Sequence, residues 1–152
     1  MLAWICKSFA AGLCGALAHT GLMFVKSALG LLPSFDPYAA LQAALATWPL
    51  AAAHPALAWA LSFVSGATVL GLVFGQLYTR LPGRTGAAKG VIFGACAWLP
   101  MGAILFPTIG LGPFGWAAGL GIAAALLSLA MLVIYGGVMG AAYAALARPP
   151  GA

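Results

Sequence analysis

Four long apolar stretches, separated by short breaks rich in proline, glycine and charge, organise this chain. The first runs from about Ser8 to Leu32 and stops at Pro33. The second opens at Pro55 and reaches about Thr79, the third covers Ala87 to Phe106, and the fourth spans residues 115–146. Each is long enough to supply the ~20 apolar residues that a helix needs to cross ~30 Å of hydrocarbon. The pattern predicts an all-α membrane protein, a four-helix transmembrane bundle with residues 1–152 forming a single transmembrane domain. The fourth run exceeds the length a bilayer requires, so it should tilt or project beyond it. Pro100 sits inside the third run and removes one backbone donor, which predicts a kink or a local widening there.

Between the first two runs lies Ser34-Phe35-Asp36-Pro37-Tyr38. An aspartate before a proline marks a helix start, because the carboxylate caps free amides and proline suits the first turn. The helix it opens, residues 37–47, carries Tyr38, Leu41, Leu45 and Trp48 on one stripe. It is too short to span a bilayer. It is expected in the outer interface with Tyr38 and Trp48 at headgroup level, the alternative being a packed re-entrant segment. The apolar loop Thr108–Trp116 is expected to lie on the same outer surface.

Composition sharpens the picture. Charged residues make up 5% of the chain, where soluble proteins carry roughly a quarter. Six basic residues stand against one acid, and mean hydropathy is +1.11. In a soluble protein a net charge of +5 would point to nucleic acid, but here the cations sit at helix ends. With four crossings, Lys7, Arg80, Arg84, Lys89 and Arg148 all fall on one side, and the opposite loops hold no lysine or arginine. That bias places both termini in the cytoplasm, with these residues fixing topology and meeting lipid headgroups. Lys7 followed by Ala16-Leu17-Ala18 resembles a secretory signal. Trp4 and Ile5 precede the lysine, however, and the apolar run continues to Leu32, so the segment reads as a crossing that serves as its own signal.

Several chemistries are excluded. A single acid removes paired-carboxylate catalysis and carboxylate metal sites, so no metal site is expected. Cys6, Cys14 and Cys96 form no CxxC pair and are expected to be buried apolar residues. Gly83-Arg84-Thr85-Gly86 lacks the spacing of a phosphate-cradling loop. No catalytic constellation remains, and the protein is expected not to be an enzyme.

Two ionisable residues inside the first run stand out. His19 and Lys26 are seven apart and share one broad helix face with Gly12, Gly15, Ala16, Met23 and Gly30. Intramembrane ionisable residues mark functional sites by default, here a candidate proton or anion path. The alternative is structural: a neutral His19 donating a hydrogen bond to a carbonyl freed by Pro100, and Lys26 snorkelling towards Asp36. A haem held by His19 and His54 is disfavoured, since the two differ in depth by ~10 Å. Glycines recur at spacings of four: Gly71 with Gly75; Gly86, Gly90 and Gly94; Gly115 with Gly119; Gly136 with Gly140. Such stripes permit close backbone approach, either within the bundle or against a partner.

The stretch Gly75-Gln76-Leu77-Tyr78-Thr79-Arg80-Leu81-Pro82-Gly83, followed by Ala88-Lys89-Gly90-Val91-Ile92-Phe93-Gly94 and Trp98-Leu99-Pro100, resembles the YagU-like group of small bacterial inner-membrane proteins. Ala18-His19-Thr20-Gly21 and the turn from Ser34 to Leu41 are also similar. The resemblance implies a four-helix bundle in the bacterial inner membrane and supplies no reaction or functional residue. The glycine stripes and the lack of chemistry lead to an expected role as an accessory or scaffold subunit of a larger respiratory or photosynthetic membrane complex, or a homo-oligomer. The alternatives are a small transporter or channel using the His19–Lys26 face, and a haem- or quinone-binding subunit.

Overall fold

In the computed structural model, residues 2–47 and 56–147 are described, and among them the secondary structure is entirely helical. Four helices are long and apolar enough to cross a membrane: α1 (Leu2–Ala28), α3 (Ala56–Leu77), α4 (Gly86–Thr108) and α5 (Ile122–Ala147). The short α2 (Pro37–Ala46) lies between the first two. This is the make-up of a multi-pass membrane protein. Its outer surface agrees: Leu17, Phe24, Val64, Ile104 and Leu126 are all more than half exposed, an arrangement that water would punish and hydrocarbon accepts.

Small residues set the packing. Positions a Cβ would occupy on Gly71 and Gly75 meet Ser8 and Gly12 of α1, and α1 and α3 therefore run antiparallel in close contact. On α4, Gly86, Gly90 and Gly94 face the backbones of Gly140, Gly136 and Leu132 on α5. Gly136 and Gly140 reciprocate, so two glycine stripes interlock carbonyl against Cα. Gly15 of α1 receives Tyr135 and Met139 of α5. The order across the bundle is thus α3–α1–α5–α4, with α1 and α5 central. Lys7, Arg80, Arg84 and Lys89 come together at one end. There, Phe74 packs edge-to-face on Phe93 at 5.2 Å and on Tyr143 at 5.7 Å, joining α3 to α4 and α5.

Two crossings contain a π-helical turn. In α4 it is Met101–Leu105, directly after Pro100, and the Phe106 amide donates to the Met101 carbonyl five residues back. Proline's missing amide and bulky ring disrupt the α-helical ladder, and the helix widens instead of bending sharply. In α3 the π turn is Gly66–Leu70. Nothing as conspicuous as a proline announces it, though Ser65 just before it and Thr68 within it bond back to the carbonyls of Ser62 and Val64.

Several boundaries differ from the sequence reading. Helix α1 starts at Leu2, so Lys7 lies inside it. It ends in a Schellman turn: Gly30 adopts φ +61°, its amide donates to Ser27, and the Leu31 amide donates to the Lys26 carbonyl. Asp36 does cap α2, accepting from the amides of Tyr38 and Ala39 at 3.0 Å each. The fourth crossing begins at Ile122, not at residue 115. Residues Pro113–Ala118 form a 3-10 turn in which Gly115 has φ +84° and a Cβ would strike the Phe35 ring. Gly119, at φ +72°, has open space around it, so Gly115 and Gly119 are loop glycines and form no packing stripe. This loop is a plug: Phe114 covers Gly102 and packs on Trp98 at 4.7 Å with the rings tilted by 44°, while Leu111 joins Phe35 and Phe106 in a small core. The three cysteines are exposed on the bundle surface, not buried as expected. Trp48, His54, Pro55 and Arg148 lie outside the described residues.

Candidate binding groove between the second and third crossings

Because α3 packs on α1 while α4 packs on α5, the two part beyond the Phe74–Phe93 contact and leave a groove of about 510 Å³. Both π turns line it. Gly66, Val69 and Leu70 form one wall, and Met101, Ile104 and Leu105 form the other. Its floor is made by α1 and α5, through Ala16, His19, Leu132 and Tyr135. A smaller void of about 90 Å³ continues from it beneath α2. Pro100 and Gly66 therefore do more than relax two helices. They bow both walls at the depth where the polar side chains converge.

His19 sits where groove and void meet. Its partner is not a carbonyl freed by Pro100. Instead Nδ1 lies 3.4 Å from the Tyr38 hydroxyl, and Ser62 Oγ donates to that same hydroxyl at 3.4 Å. With the Ser62 proton used on Tyr38, the Tyr38 hydroxyl is free to donate to Nδ1. With Tyr38 donating to Nδ1, the imidazole proton sits on Nε2, which has no hydrogen-bond partner among the described residues and can donate to a bound molecule. The ring is held by edge-to-face contacts with Tyr38 and Tyr135, at centroid distances of 6.5 and 6.4 Å.

Tyr38 corrects a second expectation. It is 8% exposed and turned into the bundle, not out to headgroups, and it stacks on Trp59 at 3.9 Å. Burial raises its phenol above the ordinary range, opposed by the Ser62 hydrogen bond and assisted by the Asp36 carboxylate. It therefore stays protonated, and a donor, across neutral pH. Tyr38 reaches this position because Asp36 starts α2 just before it. Helix α2 in turn leans on α3, where Gln42 Oε1 accepts from the Ala58 amide at 3.4 Å. Tyr135 secures the other side of the floor by donating to the Gly66 carbonyl at 2.7 Å, at the first residue of the π turn.

The remaining candidate residues lie elsewhere. Lys26 is on the same face of α1 as His19 but opens on a different cleft, with Met23 lining both sites. Gly71, Gly75, Gly86, Gly90, Gly94, Gly136 and Gly140 are all buried against neighbouring helices of this chain, so they offer no free stripe to a partner. At the basic end Lys89 donates to the Tyr78 carbonyl at 2.8 Å and sits 4.5 Å above its ring, while Arg80 and Arg84 are exposed and Lys7 is half-buried. Ser8 is fully buried beside Gly75 with no hydrogen-bond partner for its hydroxyl.

The sequence reading missed Tyr38, Ser62 and Tyr135 as parts of a site. The available signal was the rule that polar groups inside apolar runs demand an explanation, which applies to Ser62 and Tyr135 as much as to His19. No curated protein and no solved structure matches the chain. A family model matches residues 2–152, and the chain belongs to that family, DUF6789, a family of unknown function.

Proposed function

We propose that this is a non-enzymatic membrane protein that binds a lipid-soluble amphiphile with a neutral, hydrogen-bond-accepting head group, of the quinone class. The observation that carries this reading is the groove itself. It is about 510 Å³ in volume, largely apolar, and floored by the His19–Tyr38–Ser62 chain with Nε2 of His19 unengaged. Ligand sites have this character: an apolar surround with a few convergent polar groups. Among the described residues no lysine, arginine or carboxylate lines the groove, so it offers a charged head group no counter-ion. A carbonyl oxygen accepting from Nε2 fits, and Val69 and Ile104 at the exposed rim leave room for an apolar tail.

The site belongs to a protein of the bacterial inner membrane with both termini cytoplasmic. The resemblance to YagU-like proteins and the gathering of Lys7, Arg80, Arg84 and Lys89 at one end support this placement. An accessory role beside a larger complex loses its main support, because the glycine stripes are used internally.

The test is titration of the full chain in lipid nanodiscs with a short-tailed benzoquinone, read by quenching of tryptophan fluorescence. Saturable quenching is expected. His19→Phe should weaken it about tenfold, as loss of one buried hydrogen bond worth ~1.4 kcal/mol predicts. Ile104→Phe at the rim should block it without disturbing the core. Quenching that never saturates, or is identical in all three proteins, would refute the proposal.

A further inference from the structure

The opposite end of α1 carries a second cleft, of about 230 Å³, lined by Lys26, Asp36, Phe24, Trp59, Leu31 and Pro33 among others. Lys26 is 8% exposed, and its ammonium, which opens on the cleft, has no hydrogen-bond or ion-pair partner among the described residues. Asp36 lines the same cleft. Its Oδ1 is committed to the amides of Tyr38 and Ala39, and Oδ2 accepts no hydrogen bond from the described residues. The Schellman turn after Ala28 creates this arrangement: it reverses the chain at Gly30 and brings Asp36 back across the cleft from Lys26. The only acid of the chain, itself exposed, and a lysine with a buried stem thus face one cleft without forming an ion pair.

Lys26 is packed along its stem with its ammonium open to the cleft, while Asp36 is exposed at the cleft's edge and keeps one carboxylate oxygen free. A simple anion would meet Asp36, and a simple cation would meet Lys26. A zwitterion satisfies both. We propose that the cleft holds the head group of an ethanolamine phospholipid, with its phosphate on Lys26 and its primary ammonium on Oδ2 of Asp36. The ammonium has N–H donors for the carboxylate, which a trimethylammonium lacks. The Trp59 face is already stacked on Tyr38, so the cleft is no aromatic cage for choline. The exposed side chains of Phe24 and Leu31 line the cleft and offer acyl chains an apolar surface, which favours a lipid over a free soluble head group.

Native mass spectrometry of the full chain released from mild detergent tests this. It would be offered phosphatidylethanolamine, phosphatidylcholine and phosphatidylglycerol separately. Retention of phosphatidylethanolamine should exceed that of the other two about tenfold. Lys26→Met should abolish retention and Lys26→Arg should keep it. Asp36→Asn, which preserves the cap of α2, should switch the preference to phosphatidylglycerol. Should Lys26→Met fail to fold, the wild-type preference and the Asp36→Asn switch still decide the matter. Equal retention of the three lipids by the wild type, or an unchanged preference in Asp36→Asn, overturns the site. Soluble glycerophosphoethanolamine binding as tightly as the lipid overturns its assignment to a lipid. The groove at His19 is tested separately and neither result bears on the other.

Discussion

Replacing Gly90 with alanine probes the α4–α5 interface at its tightest point. The added Cβ would overlap the carbonyl of Gly136 and press on the Cα of Gly140. Both are backbone atoms in a helix, so neither can rotate away, and the helices must separate. Overpacking of this kind costs about 1–3 kcal/mol. Part of the cost is dispersion lost along the whole interlocked stripe, which is the main attraction between helices in lipid. Alanine also gains up to ~1 kcal/mol over glycine in helix propensity, which would hide part of the loss. Gly21→Ala removes that ambiguity: it lies in α1, and a Cβ there meets nothing within 4 Å. Gly137→Ala is a second control in α5, where the new Cβ would touch only Val91 Cγ2 at 3.4 Å. The propensity gain cancels in the difference, so Gly90→Ala should fall about 1–3 kcal/mol below Gly21→Ala. Unfolding by SDS titration in mixed micelles, with steric trapping to fix the unfolded state, measures that difference. A gap below ~0.5 kcal/mol would show that the two stripes do not hold the bundle together as described.

Other outcomes follow from single contacts. Tyr135→Phe removes the bond to the Gly66 carbonyl and should cost about 0.6–1.7 kcal/mol in the same assay, the range for interhelical hydrogen bonds in membranes. Asp36→Ala should cost ~1 kcal/mol through loss of the α2 cap, and Asp36→Asn only a few tenths, as thermal melts in detergent would show. Pro100→Ala restores a helix donor, so amide exchange over Met101–Leu105 should slow and benzoquinone affinity should fall as the α4 wall straightens. In a background with Cys6, Cys14 and Cys96 replaced, Arg84→Cys and Ser34→Cys should react with a membrane-impermeant maleimide from opposite sides of the membrane.

Much of the architecture is legible in the sequence because a bilayer leaves the chain few choices. Four apolar runs had to become helices, since lipid satisfies no backbone polar group. Asp36-Pro37 announced a helix start through chemistry that works locally. What failed were inferences about direction and partner. A stripe containing Tyr38 and Leu41 shows that α2 has an apolar side without saying whether that side turns to lipid or to protein. The spacing of Gly90 and Gly94 marks a close approach without naming Gly136 as its other half. Gly115 and Gly119 share the same spacing, yet positive φ makes them turn residues, and spacing carries no sign of φ. Pro100 foretold a widened helix, whereas the π turn at Gly66 depends on tertiary contacts, Tyr135 among them. The groove arises only once both π turns face each other, which no local pattern records.

The central claim is that the space between α3 and α4 is a ligand site. Photolabelling tests it most directly: a diazirine-bearing benzoquinone is irradiated with the full chain in nanodiscs, and the labelled residues are mapped by mass spectrometry. Label should concentrate on Gly66–Leu70 and Met101–Leu105 and be competed away by unlabelled benzoquinone. Label spread evenly over outward positions such as Leu17, Phe24 and Leu126, without competition, would contradict it.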